Sequence, residues 1–105
     1  MSKKKVYISL PISGYDLEER KETALAMEVK LRGRGYDVCS PLGDGWVEGL
    51  STNEYMERDI RMLLDCCAVI FLEGWNKSAG CHTELCVAMA CGKEVWFEGL
   101  SELKL

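Results

Sequence analysis

The sequence is poor in the residues from which many catalytic motifs are built. A single histidine, His82, stands among 105 residues. That gives little support for a serine or cysteine hydrolase, where an imidazole carries the proton. No G-x-S-x-G elbow occurs. No Gly-Lys-Ser/Thr follows a strand, so a P-loop is absent, and no G-x-G-x-x-G follows the first strand. Basic residues are in the minority, with 13 Lys and Arg against 17 Asp and Glu and a net charge of −4. Such a balance argues against a nucleic-acid partner, which would call for a basic face. The only basic run, Lys3-Lys4-Lys5, reads as a solvated lead-in to the first strand. No apolar stretch is long enough to span a membrane, and no signal peptide precedes the first strand. The expected setting is therefore a reducing cytoplasm.

Cysteine, by contrast, is plentiful, at six residues. The positions argue against a disulfide scaffold. Cys66, Cys67, Cys86 and Cys91 lie in or beside apolar patterns, where a free thiol packs as a small hydrophobe. Cys81, His82 and Cys86 offer donors at helical spacing, but without a C-x-x-C pair no metal is expected, and no cofactor.

The chain is organised around residues 75–92. An apolar run, Ala68 to Leu72, reads as a buried strand. Ser78-Ala79-Gly80 is a small-residue loop where a helix can begin, and Glu84 sits about one turn in. Leu85, Ala88 and Met89 continue the helical spacing, and Gly92 is a natural stop. Upstream, Val6 to Leu10 reads as the first strand, ended by Pro11-Ile12-Ser13-Gly14. Asp16 is a candidate N-cap for a helix reaching about Arg34, with Gly33 and Gly35 closing it. Tyr36 to Ser40 is a short second strand. A Gly-rich loop with Trp46 runs from Leu42 to Thr52. Trp46 there is a lid over a pocket, an oligomer contact or plain surface packing. Thr52 or Asn53 caps a helix from Glu54 to Leu64. A last strand spans Glu94 to Phe97.

Strands alternating with helices imply βαβ units. The expected fold is α/β, a flavodoxin-like or Rossmann-like three-layer sandwich with a parallel sheet of four to five strands, in one domain over residues 1–105. Ligands of such sheets bind at the carboxyl ends of the strands. With other chemistries excluded, carboxylates remain: Glu84, Asp59 and Asp65. A carboxylate can attack an anomeric carbon and hold a sugar ester while another acid or a tyrosine handles protons. An ordinary surface charge is the competing reading for Asp59, and a helix end for Asp65.

The chain resembles the nucleoside 2-deoxyribosyltransferase superfamily. The motifs are Val6-Tyr7-Ile8-Ser9-Leu10-Pro11-Ile12-Ser13-Gly14, Met56-Glu57-Arg58-Asp59-Ile60 with Leu64-Asp65, and Ser78-Ala79-Gly80-Cys81-His82-Thr83-Glu84 leading to Ala88 and Gly92. In order and spacing they cover nearly the whole chain. The resemblance implies cleavage of the N-glycosidic bond of 2′-deoxynucleosides or their 5′-monophosphates. It implies Glu84 as nucleophile, Tyr7 positioning it, and Asp59 as a general acid near the leaving base. It implies substrate contacts from Ser9, Pro11, Ser13, Gly14, Trp46, Asp65, Ser78 and Gly80, with Asp65 equally suited to a structural role. Ser78 stands where many nucleoside-transferring relatives have Asp, which favours a monophosphate. A plain helix N-cap accounts for Ser78 as well. Ser13, Gly14 and Arg20 would complete an anion pocket. The first loop departs from the hydrolase branch in lacking Arg, and Cys81, His82 and Thr83 crowd the approach to Glu84. A homodimer or higher homo-oligomer is implied, with Trp46, Tyr55 or Trp75 at the contact. A non-catalytic nucleotide-binding module on the same fold is the alternative.

Overall fold

The computed structural model describes residues 3–43 and 46–99. Strands β1 (Lys5–Ser9), β2 (Asp37–Cys39), β3 (Ala68–Phe71) and β4 (Glu94–Phe97) alternate with helices α1 (Leu17–Gly33), α2 (Thr52–Leu64) and α3 (Ala79–Ala90). All strand pairs are parallel, in the order β2-β1-β3-β4. This is the expected α/β arrangement, at the lower of the two strand numbers.

Period-two alternation divides the core between the faces of the sheet. Val6, Ile8, Ala68, Ile70 and Leu72 meet Ala24, Met27 and Leu31 of α1 on one face. Tyr7, Val69 and Phe71 meet Leu63 of α2 and Cys81 and Ala88 of α3 on the other. Leu31 and Leu63 are fully buried, and truncating such a side chain to Ala costs about 2–5 kcal/mol. The order of the strands switches between β1 and β3. Chain leaving their carboxyl ends diverges there and opens a crevice.

Local chemistry sets the helix ends. The Asp16 side chain accepts from Glu19 N–H at 3.0 Å, as expected of a cap for α1. Helix α2 begins earlier than expected: its cap is Ser51, not Thr52 or Asn53. Ser51 Oγ accepts from Glu54 N–H at 3.1 Å while Glu54 Oε1 accepts from Ser51 N–H at 3.0 Å. This reciprocal pair satisfies two otherwise orphaned donors, which Thr52 or Asn53 would not do with Glu54. Ser78 caps α3 by accepting from Cys81 N–H at 3.2 Å, and Gly92 follows at φ +69°. Strand β2 is shorter than the expected Tyr36–Ser40. The Tyr36 ring instead packs against Trp96, centroids 5.3 Å apart. A single 3-10 turn, Trp75–Lys77, occupies what reads in the sequence as open loop.

The cysteines depart from expectation too. Cys66 and Cys81 are buried, but Cys67, Cys86 and Cys91 are exposed, and Cys39 lies between. Helix α3 is apolar on nearly every side, so its sequence does not reveal which side faces the sheet. No helix among the described residues is long and apolar enough to cross a membrane.

Candidate active site

Three chain segments converge at the carboxyl edge of the sheet around a cavity of about 510 Å³. The first follows β1 and contributes Leu10, Pro11, Ile12, Ser13 and Tyr15. The second brings Pro41 and Trp46 with Thr52, Tyr55, Met56 and Asp59 of α2. The third brings Gly74 and Lys77, then Ser78, Ala79, Gly80, Cys81, Thr83 and Glu84 at the start of α3. Gly74 seals the join between the first and third segments. Its φ is +93°, and a Cβ there would lie 3.2 Å from Pro11 Cγ and 3.3 Å from Tyr15 Oη. Only glycine combines that backbone with that approach.

Glu84 is 6% exposed. Residues 81, 84 and 88 form the buried stripe of α3, so a carboxylate occupies a position where an apolar side chain is ordinary. Tyr7 Oη donates to Glu84 Oε2 at 2.6 Å, and Ser9 Oγ donates to Oε1 at 2.6 Å. Tyr7 and Ser9 are two apart on β1 and fully buried, so alternation sends both hydroxyls to the same face. Burial pushes the Glu84 carboxyl from an ordinary 4.5 up to about 7; the two hydroxyls oppose the rise, and the charge of Asp59 adds to it. Burial, followed by the charges of Glu84 and Asp59, raises the Tyr7 phenol well above its ordinary value, so it stays a donor.

Asp59 faces the same cavity from α2. Burial raises its carboxyl, and Arg58 opposes the rise. Arg58 donates to Asp59 Oδ1 at 3.1 Å and to the Pro41 carbonyl at 2.7 Å. Its guanidinium lies 5.1 Å from the Trp46 ring centroid. Trp46 in turn stacks on Tyr55 at 5.1 Å and 6°. The Tyr55 hydroxyl donates to Val47 O at 2.8 Å and holds the segment down. The role of Arg58 is not evident in the sequence, because nothing periodic there reveals that Pro41 and Trp46 lie against α2.

The structure therefore brings Tyr7, Pro11, Ser13, Trp46, Asp59, Ser78, Gly80 and Glu84 to one cavity. Ser9 is not among the lining residues; it lies beneath and holds Glu84. Gly14 is not in the lining either and serves the turn, at φ +85°. Asp65 lies apart from the cavity. It follows α2 and precedes β3, so it sits at the amino edge of the sheet, where it pairs with Lys5 at 3.2 Å. Arg20 is spent on Glu19, at 2.7 and 2.8 Å, and stacks 4.4 Å from the Tyr15 ring centroid. His82 does not crowd Glu84: its Nε2 contacts the Asn76 carbonyl at 2.8 Å and its ring lies by Trp75. Cys81 points to the core while Cys86 is exposed, so the two thiols and His82 do not converge. Trp75 packs against Phe71 and Phe97.

A doubly wound parallel sheet with a held, buried carboxylate at its switch point defines an α/β protein, and its cavity is within the size range of small-molecule sites. The chain belongs to the family described as Domain of unknown function (DUF4406), whose model matches residues 4–97. No curated protein matches it. Among solved structures it is similar to the CMP N-glycosidase BcmB of Clostridium botulinum, with 21% identity, a TM-score of 0.64, and coverage of 90% of this chain and 70% of that one. It is also similar to a 2-desoxiribosyltransferase from Leishmania mexicana, with 17% identity, a TM-score of 0.69 and 90% of this chain covered. The chain spans 63% of the length of the Leishmania protein. The superfamily resemblance carried by the motifs is thus matched in the fold.

Proposed function

We propose that this protein cleaves the N-glycosidic bond of 2′-deoxynucleosides or their 5′-monophosphates, or transfers the deoxyribosyl group to a second base. The observation that carries the reading is Glu84, held by Tyr7 and Ser9 at 2.6 Å each on the wall of the cavity. In this mechanism a Glu84 oxygen bonds to C1′ as the C1′–N bond breaks. The electron pair goes to the base nitrogen, and Asp59 supplies the proton. Its raised carboxyl suits a donor. Water or a second base then attacks C1′, the ester breaks, and Glu84 recovers its carboxylate while Asp59 takes the proton back. Pre-set hydrogen bonds fix the carboxylate for attack.

The monophosphate is the favoured substrate. Ser13, Ser78 and Lys77 line the cavity, offering hydroxyls and a cation, and none of the described acidic groups other than Asp59 and Glu84 joins them. The neighbouring CMP N-glycosidase acts on a monophosphate by its description. A second copy of the chain is the proposed neighbour beside Trp46 and Tyr55, to be checked by light scattering.

The test is to incubate the protein with deoxynucleosides and their 5′-monophosphates, with and without a second base, and separate the products by chromatography. Free base or exchanged nucleoside is expected, and Glu84→Gln is expected to bind substrate without releasing base. Binding without turnover by the unmutated chain would overturn the reading and leave a non-catalytic nucleotide-binding module.

A further inference from the structure

The two hydroxyls on Glu84 are not equivalent. Both are fully buried, but Tyr7 borders the cavity and Ser9 does not. Tyr7 holds Oε2 and Ser9 holds Oε1. This division puts Oε2 on the cavity side and Oε1 on the protein side. Cys81, 1% exposed, lies with its thiol within hydrogen-bonding reach of Ser9, so the serine hydroxyl is enclosed by protein on that side.

We propose that Ser9 is a positioning residue for the second half of the reaction, stabilising Oε1 as the sugar ester on Oε2 breaks. This rests on the reading of Glu84 as nucleophile. In the ester, Oε2 is bonded to C1′ and Oε1 is a neutral carbonyl oxygen. When water attacks C1′, the C1′–Oε2 bond breaks, its electron pair returns to the carboxylate, and the charge spreads over both oxygens. The water proton passes to the Asp59 carboxylate. A donor on Oε1 gains strength as that charge develops, because hydrogen bonds to ionised acceptors are about twice as strong as neutral ones. During the first half the same bond steadies the carboxylate before attack and gives the opposite, retarding effect. Ser9 therefore divides its influence unequally between the two halves.

Ser9→Ala and the weaker donor Ser9→Cys test this against the unmutated chain. Quenched-flow base release and intact-mass detection of the glycosyl adduct follow the two halves separately at pH 8.5. A carbon-13 titration of the Glu84 carboxyl without substrate provides a readout independent of turnover. In Ser9→Ala, breakdown of the adduct is expected to slow about 10- to 100-fold while base release is no slower than in the unmutated chain, the range set by loss of a hydrogen bond to a charged group. Adduct should accumulate most in Ala, less in Cys and least in Ser, and the Glu84 midpoint should be highest in Ala and lowest in Ser. Equal slowing of both halves would reveal a merely structural role and overturn the proposal. An unchanged midpoint with adduct at the unmutated level would overturn it as well. Absence of base release by the unmutated chain would overturn the nucleophile reading and this proposal with it. Ser9→Cys carries the test alone if the alanine variant does not fold.

Discussion

A carboxyl raised to about 7 in the folded state and near 4.5 in the unfolded chain makes stability depend on pH. Below 4.5 both states hold the proton and Glu84 adds no pH dependence. Between 4.5 and about 7 the unfolded chain releases its proton while the folded chain keeps it, so stability falls as pH rises. Above 7 the loss is complete. At about 1.4 kcal/mol per pH decade the whole loss is about 3 kcal/mol, and the part falling between pH 5.5 and 8.5 is about 2 kcal/mol. Glu84→Gln removes the proton equilibrium and keeps the shape. The amide oxygen accepts from one hydroxyl, and the amide nitrogen donates to the other. Urea unfolding of both proteins at pH 5.5, 7 and 8.5 measures the effect. With a urea dependence of about 1–3 kcal/mol per molar, the glutamine variant should gain about 1 M in midpoint over the unmutated chain between the extremes. A difference that stays constant with pH would refute the buried, proton-sharing carboxyl.

Activity should follow a different course. On the proposed reading an ionised Glu84 attacks while a protonated Asp59 serves the leaving base, so kcat/KM for base release should pass through a maximum with pH, as read from initial rates. Tyr7→Phe removes a hydrogen bond that favours the charged form of Glu84, so it should shift the maximum to higher pH and lower it about 10-fold or more. Arg58→Met frees the Pro41 carbonyl and Asp59 together; KM should rise more than kcat falls, and limited proteolysis should cut near residue 47 more readily. Gly74→Ala, strained at φ +93° and crowding Tyr15, should cost about 1–3 kcal/mol by thermal unfolding and weaken substrate binding.

Much of the fold is legible in the sequence because the strands are short apolar runs and the helices carry their own punctuation. Asp16 and Gly92 act as they read. Ser51 is legible in principle, since only it stands three residues before Glu54. Asp65 is likewise a matter of edges: a residue that precedes a strand lies opposite the carboxyl ends where ligands bind. Glu84 is recognisable from its motif, but its holder Ser9 reads as a substrate contact. Noticing that residues 7 and 9 share a face would have paired them. The outward cysteines and the place of Arg58 are different. An apolar helix conceals its orientation, and the glycine-rich stretch has no period from which the contacts of Pro41 and Trp46 with Arg58 follow.

Residue 84 interrupts an otherwise apolar seam between α3 and the sheet. Such a seam is mended by one small step: a single base change toward glutamine keeps a partner for both hydroxyls, whereas leucine would orphan the buried Tyr7 and Ser9 donors. A lineage relieved of its chemistry should therefore drift away from glutamate here within a few generations of relaxed selection. Comparing this single position across members of the family would reveal which of them retain the acid.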